Sequence, residues 1–366
     1  MKRLIFLILP LIFLSSCAPS NRIENQAHAV SMGIDYDNEE MTVIVQVPNL
    51  GGVGKKEGGN ETSGYQIYSA KSGNFESAYN ILQATLPQQL NLTHLKTIVF
   101  SKAFAESGQF LKTIDTFMNV FLVTGSANVI VTEKDAKSLI ENQKPHIGIR
   151  LSITIPSMLS YHAQNGYIPS TTLSDLYAGL KGRYSTAMCA LSDTAGENDS
   201  KTDFFMPGSL PREGDNKNEY MGAALFNREK MVGTLNGYEM QLCCFLMDDS
   251  TRIADFAFPY AMRVSTRKNR DVNVNITGDD VRIDVVLYLD ISTLDEVTDL
   301  TQIEKSLIDD FESVFHKCKA LGVEPFGFSK SAARKFADNQ SFDEFDWLSK
   351  FRSSDISLTL LINGEK

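Results

Sequence analysis

Cysteines, histidines and paired carboxylates are the side chains in this 366-residue chain that could carry metal, redox or acid–base chemistry. Cys189, Cys243, Cys244 and Cys318 show no C-x-x-C spacing, so neither a zinc knuckle nor a dithiol redox motif is written here. Four cysteines in so long a chain are not a disulfide framework, and buried free thiols are expected. His28, His94, His146, His162 and His316 are scattered without an H-E-x-x-H or a near repeat, which predicts no metal site. The adjacent pairs Asp309-Asp310 and Asp343-Glu344 would diverge on a helix, so they read as solvated faces rather than a calcium site. Gly51-Gly52-Val53-Gly54-Lys55-Lys56 invites comparison with a phosphate loop and fails it. The first required glycine falls on Asn49, and Lys56 stands where Ser or Thr must bind magnesium. No nucleophile lies beside a base and no G-x-S-x-G occurs, so the sequence predicts a protein that is not an enzyme.

Cys17 is different, because its surroundings specify a modification. Met1-Lys2-Arg3 is a positive start, Leu4 to Leu14 an apolar run, and Leu14-Ser15-Ser16-Cys17 a small-residue exit ending on cysteine. The run has the length of a secretory leader and is too short for a finished transmembrane helix. The exit resembles the lipobox of bacterial lipoproteins. That resemblance implies removal of residues 1–16 as a signal peptide, diacylglycerol on the Cys17 sulfur and an acyl group on its new amino terminus, with no other cofactor. Two acyl chains hold a soluble domain on a membrane where one is marginal. Residues 17–26 then form a tether of at most ~30 Å. No later apolar run approaches the length of a span. The formal charge is −10, and it becomes two units more negative once Lys2 and Arg3 leave with the leader. An acidic chain without a basic block is poorly suited to nucleic acid, which is excluded as a partner.

The elements that position these residues alternate in period. Val30 to Asp35 and Met41 to Val47 read as strands joined by the acidic turn Asp37-Asn38-Glu39-Glu40. Residues 48–64 are a Gly-rich loop. From Asn74, helical spacing (Phe75, Ala78, Tyr79, Leu82), a strand at Thr97–Phe100, a helix at Phe110–Met118, a strand at Asn128–Val131 and a helix at Glu133–Glu141 predict an α/β domain over 27–148. Ile149 to Ile155 alternates as a strand ending at Pro156. Helical spacing follows near Ser170–Leu180 and a strand at Ala187–Leu191, and the polar stretch 192–218 reads as a linker closing a middle region over 149–220. A C-terminal α+β domain over 221–366 is built from one hairpin around Arg228-Glu229-Lys230 and a second around Thr277-Gly278-Asp279-Asp280. A long amphipathic helix from Ile303 to Cys318 and a closing strand through Ile356, Leu358 and Leu360 complete it.

Taken in order, these features resemble the Ger(x)C family, the lipoprotein C subunits of spore germinant receptors. Cys17 is followed eighteen residues on by the aspartate of Gly33-Ile34-Asp35. His94-Leu95-Lys96 precedes β-branched residues and a short Ala/Gly-containing helix. The second half opens on Gly222-Ala223-Ala224-Leu225-Phe226, a charged turn, and Met231-Val232-Gly233-Thr234-Leu235, with Glu239 beyond. Phe326-Gly327 and Trp347 fall near the end as in the family. The chain departs from it after Cys17, where Ala18-Pro19-Ser20-Asn21-Arg22 stands in place of a Trp-Asp-Arg-Arg-Glu run. The resemblance implies an α+β fold class of three domains, each a β-sheet packed with α-helices. It implies a place on the outer face of the spore inner membrane, and partnership with an A and a B integral membrane subunit. No small-molecule ligand is read from the sequence. The competing reading is a solute-binding lipoprotein of an ABC importer, which predicts two similar lobes around a ligand cleft; the hairpin-rich C-terminal part does not repeat the first.

For the singled-out residues, bland readings precede sharp ones. His94 is expected to cap or bond backbone at a helix-to-strand corner, with Lys96 a solvated neighbour. Gly33 is expected to ease a tight strand end, and Asp35 to bond the turn that follows it. Gly222 and Gly233 are expected to allow close strand approach rather than ligand contact.

Overall fold

The computed structural model describes residues 25–48, 64–121, 123–143, 151–184, 186–195, 205–209, 217–247, 253–256, 261–293 and 299–365. The lipobox at Cys17 and the Gly-rich loop, apart from its ends at Pro48 and Gly64, lie outside them.

The first half supplies strands β1 (Gln26–His28), β2 (Ser31–Asp37), β3 (Glu40–Pro48), β4 (Tyr65–Ser72), β5 (Gln89–Asn91), β6 (Thr97–Ser101) and β7 (Asn128–Thr132). Its helices are α1 (Phe75–Thr85), α2 (Lys102–Ala105), α3 (Phe110–Asn119), α4 (Ala136–Glu141), α5 (Leu151–Gln164) and α6 (Leu173–Lys181). Then come β8 (Met188–Thr194), β9 (Asn218–Phe226), β10 (Met231–Leu235), α7 (Gly237–Phe245), β11 (Ile253–Phe256), β12 (Met262–Thr277) and β13 (Asp280–Thr293). The chain closes with α8 (Leu300–Leu321), α9 (Phe328–Ala333), α10 (Asn339–Phe345), α11 (Trp347–Ser353) and β14 (Asp355–Glu365).

Eight strands form one sheet in the order β10-β9-β8-β7-β6-β2-β3-β4. Its middle, β2, β6, β7 and β8, is parallel, and antiparallel pairs flank it on both sides. Parallel strands are covered on both faces, and β6 reads as an unbroken buried run. On one face pack Phe75, Ala78 and Leu82 of α1, Phe110, Ile114 and Phe117 of α3, and Leu173, Leu176 and Leu180 of α6. On the other lie Ala136, Leu139 and Ile140 of α4 with Ile155, Leu159 and Ala163 of α5. The β2–β3 connection is the acidic turn anticipated from sequence. Asn38 and Glu39 both hold positive φ (50° and 64°), as a two-residue hairpin loop whose twist matches its strands requires.

A second sheet, β11-β12-β13-β14, is antiparallel except for the β13–β14 pair. Along β13 the buried residues are Val281, Ile283, Val285, Leu287, Leu289 and Ile291, every second position, so one face is covered and the other is wet. The covered face meets Ile303, Leu307, Phe311, Val314, Phe315 and Cys318 of α8.

Two expectations are corrected. From Leu151 on, the run at 149–155 is helix and not strand: α5 begins there and continues beyond Pro156. Ile153 is 56% exposed, while Ile155, Leu159 and Ala163, at helical spacing, face the sheet. The stretch 192–218 is not linker at its ends. Ser192–Thr194 complete β8 and Asn218 starts β9, with Ser192, Asp193 and Asn218 buried. β8, β9 and β10 extend the eight-stranded sheet that β2 begins. Mixed sheets packed with helices are the fold class expected of the chain.

Candidate functional site

The singled-out residues gather at three places: the β2–α4 corner, the β1–β5 corner, and the seam between the two sheets. At the first, Gly33 of β2 lies under α4. A Cβ on it would stand 2.8 Å from Ile140 Cδ1 and 3.1 Å from Ala136 Cβ, so glycine sets how close the helix comes. Two residues on, Asp35 accepts the N–H groups of Ala136 (2.6 Å) and Lys137 (3.2 Å) at the start of α4. Both expectations are thereby corrected. Gly33 serves helix approach rather than a turn, and Asp35 bonds a helix a hundred residues away rather than the next turn. Burial pushes the Asp35 carboxyl above its usual range, and the two backbone donors pull it back.

At the second place, the His94 ring sits edge-on to His28, centroids 4.8 Å apart, beside the parallel β1–β5 pair. Among the described residues no hydrogen bond joins His94 to backbone, contrary to expectation. Burial and the neighbouring imidazole lower the His28 pKa. Lys96 is exposed, and its backbone bridges Val30 and Asn128.

The seam holds the remaining motif residues. Gly222, with φ +90°, lies so near β10 that a Cβ would meet the Leu235 carbonyl oxygen at 2.3 Å. Gly233 faces Leu321 at the end of α8. Phe226 stacks on Phe110 of α3 at 4.9 Å and belongs to the first core, whereas Ala223, Leu225 and Leu235 of the same strands belong to the second. Asn236 and Glu239 make a reciprocal capping box at the start of α7, and Glu239 also accepts Lys317 Nζ from α8 at 2.6 and 2.8 Å. Tyr238 donates to Asp310 of α8 (2.6 Å), so α7 and α8 are joined twice. Gly327, left-handed at φ +76°, begins α9, and Phe326 is fully buried.

Sequence reasoning passed over the group that organises this seam. Glu324 is 2% exposed and accepts the N–H groups of Phe328 (3.1 Å) and Ser329 (2.9 Å). Its own N–H donates to Thr186 Oγ1 (2.8 Å), and the Ser329 hydroxyl donates to the Tyr184 carbonyl (2.6 Å). Arg270 of β12 donates to the carbonyls of Phe326 (2.7 Å) and Leu246. Burial raises the Glu324 pKa, against the opposing pull of those N–H groups and of Arg270. The signal for it was a lone carboxylate inside the apolar run Leu321–Phe328, a placement that demands partners.

These groups are spent on backbone and on each other, so what the seam does is hold two sheets in one arrangement. The free thiols of Cys189, Cys243, Cys244 and Cys318 are buried; for Cys189, Cys243 and Cys318 burial pushes their pKa values up, away from nucleophilic use. No group of three or more His, Cys, Asp or Glu side chains among the described residues is placed to hold a metal ion. No helix among them is long and apolar enough to cross a membrane.

Comparison with known proteins agrees across both sheets. A solved chain titled "Crystal Structure of the GerBC protein" superposes with a TM-score of 0.50 at 16% identity, covering 92% of this chain and 97% of that one, a likeness of fold. A Bacillus subtilis (strain 168) protein provisionally named as spore germination protein YfkR is 31% identical over 116 residues; the match spans 30% of the length of each. The family model described as "Spore germination protein N-terminal domain" matches residues 19–192, and that described as "Spore germination B3/ GerAC like, C-terminal" matches residues 221–363. The chain therefore belongs to the GerAC-like family of spore germination proteins.

Proposed function

We propose that this chain is a non-enzymatic, lipid-anchored subunit of a nutrient germinant receptor, held by Cys17 on the outer face of the spore inner membrane and required for assembly with two integral membrane subunits. The observation that carries the reading is the seam. Buried Glu324 accepts two backbone N–H groups of the second half, while its own N–H to Thr186 Oγ1 and the Ser329 hydroxyl to the Tyr184 carbonyl cross to the first, a way of making a fixed scaffold rather than a pair of lobes that close on a ligand. Family membership over both halves of the chain supports the spore germination setting. Anchoring confines the chain to the plane of its partners and raises their effective concentration without new contacts.

The test is affinity capture of the tagged, lipidated chain from dormant-spore membranes, beside Cys17→Ala. Two multi-span membrane proteins are expected to co-purify, one of them transporter-like, with recovery roughly 10²-fold lower for Cys17→Ala and an unchanged melting temperature. Full recovery with Cys17→Ala, or capture of ABC permease and ATPase subunits instead, overturns the reading.

A further inference from the structure

Among the described residues the two large sheets end in β10 and β4, and in β11 and β14. Three of these edges are guarded. β10 is five residues long and β11 four. Asp255 of β11 also pairs with Arg263 of β12 at 2.7 Å, and β4 carries Lys71, paired with Glu40 at 2.7 Å. Short strands and edge charges are how a sheet avoids pairing with another chain.

β14 has neither protection. It runs for 11 residues, against a usual strand of about 5–6, and among the described residues it pairs with β13 alone. From Ile356 to Asn363 it holds no charged residue and no proline, in a chain of formal charge −10. Its burial is also incomplete. On β13 the inward row Ile283, Val285, Leu287 and Leu289 is at most 1% exposed. Registered against it on β14 stand Ile356, Leu358, Leu360 and Ile362, of which Leu360 is buried and the other three only half-buried. On the open face Leu361 is 44% exposed and Thr359 is exposed too. A further strand beside β14 would cover the inward row and pair the free backbone groups of the edge.

The edge is complementary to itself. A two-fold axis through Thr359, normal to the sheet, keeps both inward rows on one side. It sets Ile356 against Ile362, Leu358 against Leu360 and Ser357 against Leu361 of the other copy. Asp355, the charged residue nearest the axis along the strand, meets Asn363, so two acidic chains come together here without like charges opposed.

We propose that β14 is the edge at which two copies of this chain join, antiparallel, into one continuous sheet running from β11 of one copy to β11 of the other. The inference stands apart from the receptor reading, because it rests on the second sheet alone. An edge of this length supplies fewer than the roughly 20–30 residues a side of a standard interface, so micromolar association is expected.

The test is sedimentation equilibrium of the full-length chain in detergent, from micromolar to submillimolar concentration. A reversible monomer–dimer equilibrium is expected. Thr359→Lys sets a like charge against itself at the axis and should weaken the dimer at least about tenfold, at unchanged melting temperature. Thr359→Cys, treated with oxidised glutathione, should form a disulfide-linked dimer, because residues paired across antiparallel strands bring their Cβ atoms within about 4.5–5.5 Å. Asn273→Cys, exposed on β12 of the same sheet, should not, and wild type controls for the native thiols. A chain that stays monomeric throughout overturns the proposal. So does a dimer that Thr359→Lys leaves intact, or Thr359→Cys cross-linking no faster than Asn273→Cys.

Discussion

The two sheets are held by different physics. In the eight-stranded sheet the central strands are buried on both faces, and the locking devices are close backbone approaches: Gly33 beneath α4 and Gly222 beside β10. In the four-stranded sheet one face is wet, and the elements closing the other are fixed by polar groups, buried Glu324 above all, with half-buried Arg270 beside it. A two-faced sheet has enough apolar area to be specific by packing. A one-faced sheet with several short helices on it needs buried hydrogen bonds to select a single arrangement. The first should therefore fail when a methyl group is added, and the second when an acceptor is removed.

The largest effect is expected in the first sheet. Gly222→Ala combines a positive φ, which costs about 1–2 kcal/mol for an L-residue, with a Cβ 2.3 Å from a backbone oxygen that has no rotamer to escape to. A loss of about 3 kcal/mol or more is expected from urea denaturation. A loss below ~1 kcal/mol would mean that the β9–β10 edge yields freely, and the contrast between the sheets would fall.

Glu324→Ala comes next, at about 3 kcal/mol, because two N–H groups at the start of α9 lose their acceptor. Its pH dependence is the sharper check. The folded pKa of Glu324 is raised, so between the unfolded value of ~4.3 and the folded one the native chain holds more protons than the unfolded chain. The contribution of this group is then fully present below the unfolded pKa and is lost as pH rises through the folded pKa. Wild-type stability relative to Glu324→Gln should accordingly increase on acidification through that window. A flat or opposite difference in melts across pH would show that Arg270 and the backbone donors outweigh burial.

The same contrast explains what the sequence revealed. One-faced strands announce themselves by alternation, and Val281 to Leu289 could be read as a hairpin arm for that reason. The amphipathic α8 was legible too, with Ile303, Leu307 and Phe311 inward. α5 was misread because Leu151, Ile153 and Ile155 alternate before the helical spacing of Ile155, Leu159 and Ala163 takes over. α7 escaped notice because Met240 to Phe245 are buried on every side, leaving no polar stripe to mark a period. Only its Asn-x-x-Glu start, Asn236 to Glu239, carried a signal. The seam was the least legible part. Resemblance located Gly222, Glu239 and Trp347, but nothing local ties Glu324 to Thr186 or Arg270 to Phe326, which meet only through the tertiary fold. Asp35 had the same difficulty, with its partners at the far end of a long connection.

The smallest effects lie where the two kinds of locking meet, at Glu239. Its carboxylate accepts the Asn236 N–H at 2.8 Å as half of a capping box and accepts Lys317 Nζ from α8. The lysine side chain is 38% exposed and the glutamate 19%, so solvent screens much of their attraction. Lys317→Ala should therefore cost below ~1 kcal/mol, a shift of about 2–4 °C at most in a chain of this size. Glu239→Ala removes the cap as well and should cost about 1–2 kcal/mol. Thermal melts of the two variants and of the double variant separate the contributions. A double variant no worse than Glu239→Ala would assign the α7–α8 junction to the cap, with the ion pair acting only through the glutamate it shares. Equal losses from the two single variants would make the ion pair the fastening, and the second sheet would then depend on exposed as well as buried charge.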